Sequence, residues 1–129
     1  MNFLAIDAST EACSVAIKYL DQQFSEYELC PQSHSLRLLP MVDSVLKQAN
    51  CTLTELDGII FGQGPGSFTG VRIGLSAAQG LSLASNKSII GITTLEALAH
   101  AKPGNIIAAL DAGRGQYYAQ EFLDGAPQA

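Results

Sequence analysis

Several things are scarce in this chain, and each scarcity removes a class of function. Charged residues make up only 15% of the 129 residues, against about a quarter in an average globular protein. A surface so poor in charge has apolar area left for a partner to cover. The basic residues Lys18, Arg37, Lys47, Arg72, Lys87, Lys102 and Arg114 form no run, and the net charge is −5. That is a weak electrostatic footprint for direct nucleic-acid binding. Cysteine occurs three times, at Cys13, Cys30 and Cys51, with no close pair in sequence. An odd, dispersed set argues against a disulfide framework and against a zinc site. The two histidines, His34 and His100, lie on different predicted helices rather than at the HxxxH spacing of a metalloprotease. His34 reads as a contact at a helix N-terminus. No apolar run approaches the ~20 residues of a membrane span, and no basic n-region precedes the first apolar residues. A cytoplasmic protein without membrane contact is the expectation.

Apolar periodicity supplies the outline. Phe3 to Ile6 is a short apolar run ending at Asp7, and Cys13 to Tyr19 alternates with a period of two. Phe24 to Cys30 alternates again, with Phe24, Glu26, Glu28 and Cys30 on one side. These predict a three-stranded antiparallel meander. Asp7, Ser9 and Thr10 tip its first hairpin, as turn-forming residues do. Ser33 is placed to cap a helix running to about Asn50. That helix carries two apolar stripes, Leu36-Leu39-Val42-Leu46-Ala49 and Leu38-Met41-Val45. A surface helix needs only one, so one stripe is expected to face the sheet and the other a partner. Pro40 predicts a kink.

Thr52 to Leu56 carries a cap signature, and Asp57 to Phe61 reads as a buried strand. The densest feature follows: Gly62-Gln63-Gly64-Pro65-Gly66-Ser67-Phe68-Thr69-Gly70-Val71-Arg72-Ile73-Gly74. It predicts strand, tight turn, then helix, with glycine where the backbone needs positive φ or close approach. No Gly-Lys-Ser/Thr ends it, so it is not a nucleotide P-loop. The helix it opens sets Gly70, Gly74 and Ala78 on one face and Ile73, Ala77, Leu81 and Ala84 on the next. Gly74 and Gly80 inside a helix each cost ~1 kcal/mol relative to alanine, which implies close approach of another backbone. Ser88 to Ile92 is a strand, Thr93 or Thr94 caps a helix stopping near Lys102-Pro103-Gly104, and Ile106 to Leu110 is a strand. Ala112 to Gly115 is a turn, Gln116 to Leu123 a last strand, and the tail from Asp124 is loop-like. The order predicts a single α/β domain over residues 1–129 with a mixed sheet. A hydrolase triad of Ser67, His34 and Asp111 lacks a nucleophile elbow, so no catalytic residue, metal or cofactor is assigned.

At this point the motifs are recognisable. Ile6-Asp7-Ala8-Ser9-Thr10-Glu11-Ala12-Cys13-Ser14-Val15-Ala16, His34 to Pro40, Gly64 to Gly74, Thr93 to Ala99 and Leu110 to Tyr118 resemble the TsaB (YeaZ) family, kin of the TsaD/glycoprotease family. The resemblance covers nearly the whole chain. It implies an actin-like (ASKHA, ribonuclease H-like) fold with helices on both faces of the sheet, normally in two such domains, of which the second is expected to be absent here. It implies a non-catalytic scaffold or activator in the formation of N6-threonylcarbamoyladenosine at position 37 of transfer RNA. The implied partners are a TsaD-type transferase, a TsaE-type ATPase and a second copy of the chain through the first and second helices, with RNA met only through the complex. The alternatives are an actin-like ATPase or sugar-kinase-like enzyme and, more remotely, a metalloprotease. Asp7, Ser9 and Thr10 then resemble a vestigial nucleotide hairpin, and Gly64, Pro65, Gly66, Ser67, Phe68 and Thr69 the signature turn. The partner or dimer interface is expected at His34, Leu38, Met41, Val45, Gly70, Arg72, Ile73, Gly74 and Ala77.

Overall fold

The computed structural model describes residues 1–99, 105–113, 116–123 and 126–127, with side chains through Ala97. The meander forms as the alternation predicts: β1 (Phe3–Asp7), β2 (Ala12–Tyr19) and β3 (Gln22–Leu29). Helix α1 (His34–Ala49) leads to a short 3-10 turn at Leu53–Glu55 and to β4 (Gly58–Gly62). Then come α2 (Phe68–Ser85), β5 (Ile89–Ile92), α3 (Thr94–Ala99), β6 (Asn105–Gly113), β7 (Gln116–Leu123) and β8 (Ala126–Pro127). Strands order as β3-β2-β1-β4-β5, and β6-β7-β8 form a second sheet. β1 runs antiparallel to β2 and parallel to β4, with Ile6 opposite both Val15 and Phe61. This is the mixed α/β sheet of the actin-like and ribonuclease H-like folds.

Side chains alternate across the sheet. Leu4, Ile6, Val15, Ile17 and Ile59 point to one face and are buried there beneath α1 and α2. Ala5, Asp7, Ser14 and Ile60 point to the other, where they line a hollow of about 390 Å³ with Thr93, Thr94 and Ala97. Helix α3 therefore begins on the face opposite α1 and α2. The edge strand β3 turns its acids inward. Glu28 accepts from Arg37 Nε at 2.6 Å, and Glu26 accepts from Gln48 Nε2 at 2.7 Å and from the Ser44 hydroxyl. Inward charges of this kind hold α1 in place and discourage edge-to-edge pairing.

Helix α1 continues through Pro40, which sits on the exposed side, where solvent can serve the Leu36 carbonyl. Three expectations are corrected. Ser33 does occupy the N-cap position, but its hydroxyl donates to the Pro31 carbonyl at 3.4 Å instead of capping the helix. The last strands do not extend the mixed sheet. β6 pairs with its chain neighbour β7 and runs on to Gly113, where a turn was expected, and short-range hairpin pairing needs little loop closure. Ala126 and Pro127, expected as loop, pair with Leu123 and Phe122. The helix stop at Lys102-Pro103-Gly104, and with it His100, Arg114 and Gly115, lies outside the described residues. Among the described residues, no helix is long and apolar enough to cross a membrane.

Candidate partner-binding groove

The signature turn is an internal joint. Gly64 takes φ +86°, a conformation that favours glycine. Ser67 caps α2 by accepting from the Gly70 amide at 3.2 Å, and its own amide donates to the Ser9 carbonyl at 2.7 Å. A Cβ on Gly66 would strike Ser9, one on Gly70 would strike the Ala8 carbonyl oxygen, and one on Gly74 would stand 3.9 Å from the Ala8 nitrogen. Gly66 and Gly70 thus let α2 ride directly on the β1–β2 hairpin of the same chain, whereas the Gly74 position has ordinary van der Waals room for a methyl group. This corrects the assignment of Gly70 and Gly74 to a partner interface: both are buried in the chain's own fold. A Cβ on Gly74 would make only an ordinary contact and one on Gly80 would meet nothing within 4 Å, so the close-approach argument fails at both.

The hairpin spends most of its polar groups on itself. Asp7 Oδ1 accepts from the Ser9 amide at 2.8 Å, and Thr10 Oγ1 from the Ala12 amide at 3.2 Å. Ser9 is 2% exposed, and its hydroxyl has no partner. Asp7, Ser9 and Thr10 therefore form a locally closed turn under Gly66.

The two-stripe reading of α1 is resolved by burial. Leu38, Met41, Val42, Val45 and Ala49 form the sheet-facing row, while Leu36 and Leu39 are 74% and 52% exposed. Met41 and Val45, assigned to the interface from sequence, are core residues, because a row at this spacing lands over β2 and β3. His34 is buried as well, its Nε2 2.6 Å from the Thr10 carbonyl. A carbonyl can only accept, so Nε2 carries the proton and ties the start of α1 to the first hairpin.

What the two helices leave open is a groove of about 530 Å³ between them. Leu38 and Leu39 line it from α1, and Arg72, Ile73 and Ala77 from α2. Four of the residues expected at the interface, Leu38, Arg72, Ile73 and Ala77, thus meet there; Leu39 was assigned to the other stripe. Phe68, 75% exposed, stands at the start of α2 with the Arg72 guanidinium 5.3 Å from its ring centre. A cation over an aromatic face is attracted by the ring quadrupole. The groove is therefore mainly apolar with one cation on its lining.

Sequence spacing also concealed a cluster. Cys13 and Cys30 bring their sulfurs to 3.2 Å, beside the His34 ring. Burial, reinforced by the Cys30 thiol, pushes Cys13 up to about 12 from an ordinary 9.0. The absence of a close pair in sequence was misleading because β2–β3 pairing folds residue 30 back beside residue 13; the register of Ala12 with Leu29 is the signal that would have shown it.

A family model described as TsaD, tRNA N6-adenosine threonylcarbamoyltransferase, matches residues 26–126. The chain is 44% identical over 127 residues to the tRNA threonylcarbamoyladenosine biosynthesis protein TsaB of Escherichia coli, covering 95% of this chain and 55% of that protein. The chain belongs to the TsaB (YeaZ) family. The Haemophilus influenzae TsaB is 42% identical over 128 residues, covering 95% of this chain and 54% of that one. YeaZ from Pseudomonas aeruginosa superposes with a TM-score of 0.87 at 38% identity, over 98% of this chain and 63% of that chain. Thermus thermophilus RuvC, at 12% identity and a TM-score of 0.50 over 74% of this chain and 66% of that one, shares the fold alone. This TsaB-family chain spans about half the length of the curated relatives it matches.

Proposed function

We propose that this chain is a non-catalytic subunit in tRNA N6-threonylcarbamoyladenosine formation, and that it corresponds to the first actin-like domain of its family. Its task is to bind a TsaD-type transferase and hold it in a competent state. The groove between α1 and α2 carries the proposal: an apolar trough with exposed Leu39 on one wall and Arg72 and Ile73 on the other. A helix of a partner laid into it would bury apolar area at roughly 25 cal/mol per Å², and Arg72 would select an acidic residue beside it. A second copy would use the same surface and compete. A TsaE-type ATPase joins the assembly, and transfer RNA meets the chain only through it, since the chain is acidic. The alternative of a self-sufficient actin-like ATPase is disfavoured by the hairpin, where Asp7 and Thr10 already bond backbone amides. The test is sedimentation of the chain alone and with a purified TsaD-type transferase. Self-association that gives way to a heteromeric species supports the reading. Two species that sediment independently refute it.

A further inference from the structure

The sulfurs of Cys13 and Cys30 lie 3.2 Å apart, buried, at the point where β3 hands over to α1. Cys30 extends the ladder past Leu29, its amide donating to the Glu11 carbonyl at 3.0 Å. Cys13 has no exposure, whereas Cys30 is 6% exposed, so a small solute reaches Cys30 first. A bound cation fits this arrangement poorly. Two thiolates on one tetrahedral zinc, with Zn–S bonds of about 2.3 Å, stand about 3.8 Å apart, wider than the observed gap. His34 Nε2 donates to the Thr10 carbonyl, which leaves Nδ1 as the ring's unprotonated nitrogen. The Cys13 sulfur also lies 3.8 Å from the His34 carbonyl oxygen, in position to donate its proton there. The two sulfurs are thus in contact with each other rather than spread around a cation.

We propose that Cys13 and Cys30 are a cystine site, closed by a peroxide and reopened by a thiol reductant. Cys30 as thiolate attacks one peroxide oxygen, the O–O bond breaks, hydroxide leaves, and Cys30 becomes a sulfenic acid. The Cys13 sulfur then attacks the Cys30 sulfur, forming the S–S bond and breaking the S–O bond, with the Cys13 proton leaving in water. In sum, two thiols and one hydrogen peroxide give one disulfide and two waters. Closing the bond shortens the sulfur separation from 3.2 Å to about 2.0 Å. The segment Cys30–Pro31, just past the end of β3, takes up that motion, because β2 is held on both sides by β1 and β3. The bond therefore ties β2 to the start of α1, next to the His34–Thr10 contact.

Peptide mapping of the unaltered chain tests this directly, because Lys18, Arg37, Lys47 and Arg72 place the three cysteines in separate tryptic peptides. The folded chain is treated with hydrogen peroxide, then acid-quenched, alkylated and digested, with one portion passed through dithiothreitol first. The expected product is the Cys13 peptide joined to the Cys30 peptide, lighter by two hydrogens and absent from the reduced portion. The Cys51→Ser variant should give the same product. Four results overturn the proposal: Cys13 and Cys30 both alkylated at a dose that oxidises Cys51; Cys30 carried to sulfinic acid without a link; a link made through Cys51; or one zinc ion per chain retained by the reduced protein through gel filtration.

Discussion

Replacing Gly70 with alanine sets two rules against each other. Helix propensity predicts stabilisation by up to ~1 kcal/mol for alanine over glycine. Packing predicts the reverse. The new Cβ would run into the Ala8 carbonyl oxygen, a backbone atom at the end of β1, and Ala8 is 1% exposed. Overpacking of a fixed backbone neighbour costs about 1–3 kcal/mol. Displacing α2 also disturbs the Ser67 cap on the Gly70 amide, a bond worth about 1 kcal/mol. The net is a destabilisation of about 2 kcal/mol. At roughly 4 °C per kcal/mol for a chain of this length, Tm falls by about 8 °C. Gly80→Ala on the same helix is the control, since an added Cβ there meets nothing. It gains about 0.5–1 kcal/mol, and Tm rises by about 3 °C. Differential scanning calorimetry on both variants decides. If Gly70→Ala stabilises as Gly80→Ala does, the packing of α2 on the hairpin is wrong, and with it the account of the signature glycines.

Three further outcomes follow from named contacts. Leu38→Ala should cost about 2–5 kcal/mol in urea unfolding, whereas Leu36→Ala on the exposed side should stay within about 0.5 kcal/mol; equal effects would invert the assignment of the α1 faces. The Tyr19 hydroxyl, followed by the Thr52 amide and hydroxyl, holds Glu55 below its ordinary 4.5. A lowered acid stabilises the fold above its unfolded value and loses that contribution as pH falls through the folded one; Tyr19→Phe should move the Glu55 midpoint upward in an NMR titration, and an unmoved midpoint refutes the contact. The raised Cys13 thiol works the other way: its contribution is complete below pH 9.0 and is lost as pH climbs toward about 12. Urea midpoints should therefore fall over that interval more for the unaltered chain than for Cys13→Ala compared with its own value at neutral pH, and parallel curves would contradict it.

The sheet was legible because period two is local. Cys13 to Tyr19 and Phe24 to Cys30 each declare a strand and its two sides, Phe3 to Ile6 declares a strand only as a short apolar run, and Asn50 and Asn86 close α1 and α2 in left-handed conformations. Legibility failed wherever the answer depended on what lies across space. The α1 stripes are both good helix faces, and only the position of β2 and β3 decides that Met41 and Val45 are core while Leu36 and Leu39 are exposed. The signature glycines announced a close approach correctly. The approaching backbone is Ala8–Ser9 of the same chain, more than fifty residues earlier in sequence. The Cys13–Cys30 contact was hidden for the same reason, since ladder register is a tertiary property. The groove itself was half visible: Arg72, Ile73 and Ala77 were named from the sequence, whereas the exposed wall at Leu39 needed the packed helix.

The groove is the centre of this account, and calorimetric titration of the chain into a purified TsaD-type transferase tests it most directly. Leu39→Glu and Arg72→Glu change exposed positions on opposite walls, so their melting curves should match that of the unaltered chain. The account predicts measurable binding by the unaltered chain and at least a tenfold weaker Kd for each variant, about 1.4 kcal/mol or more. Equal affinity in all three proteins, or no binding by the unaltered chain, would contradict it.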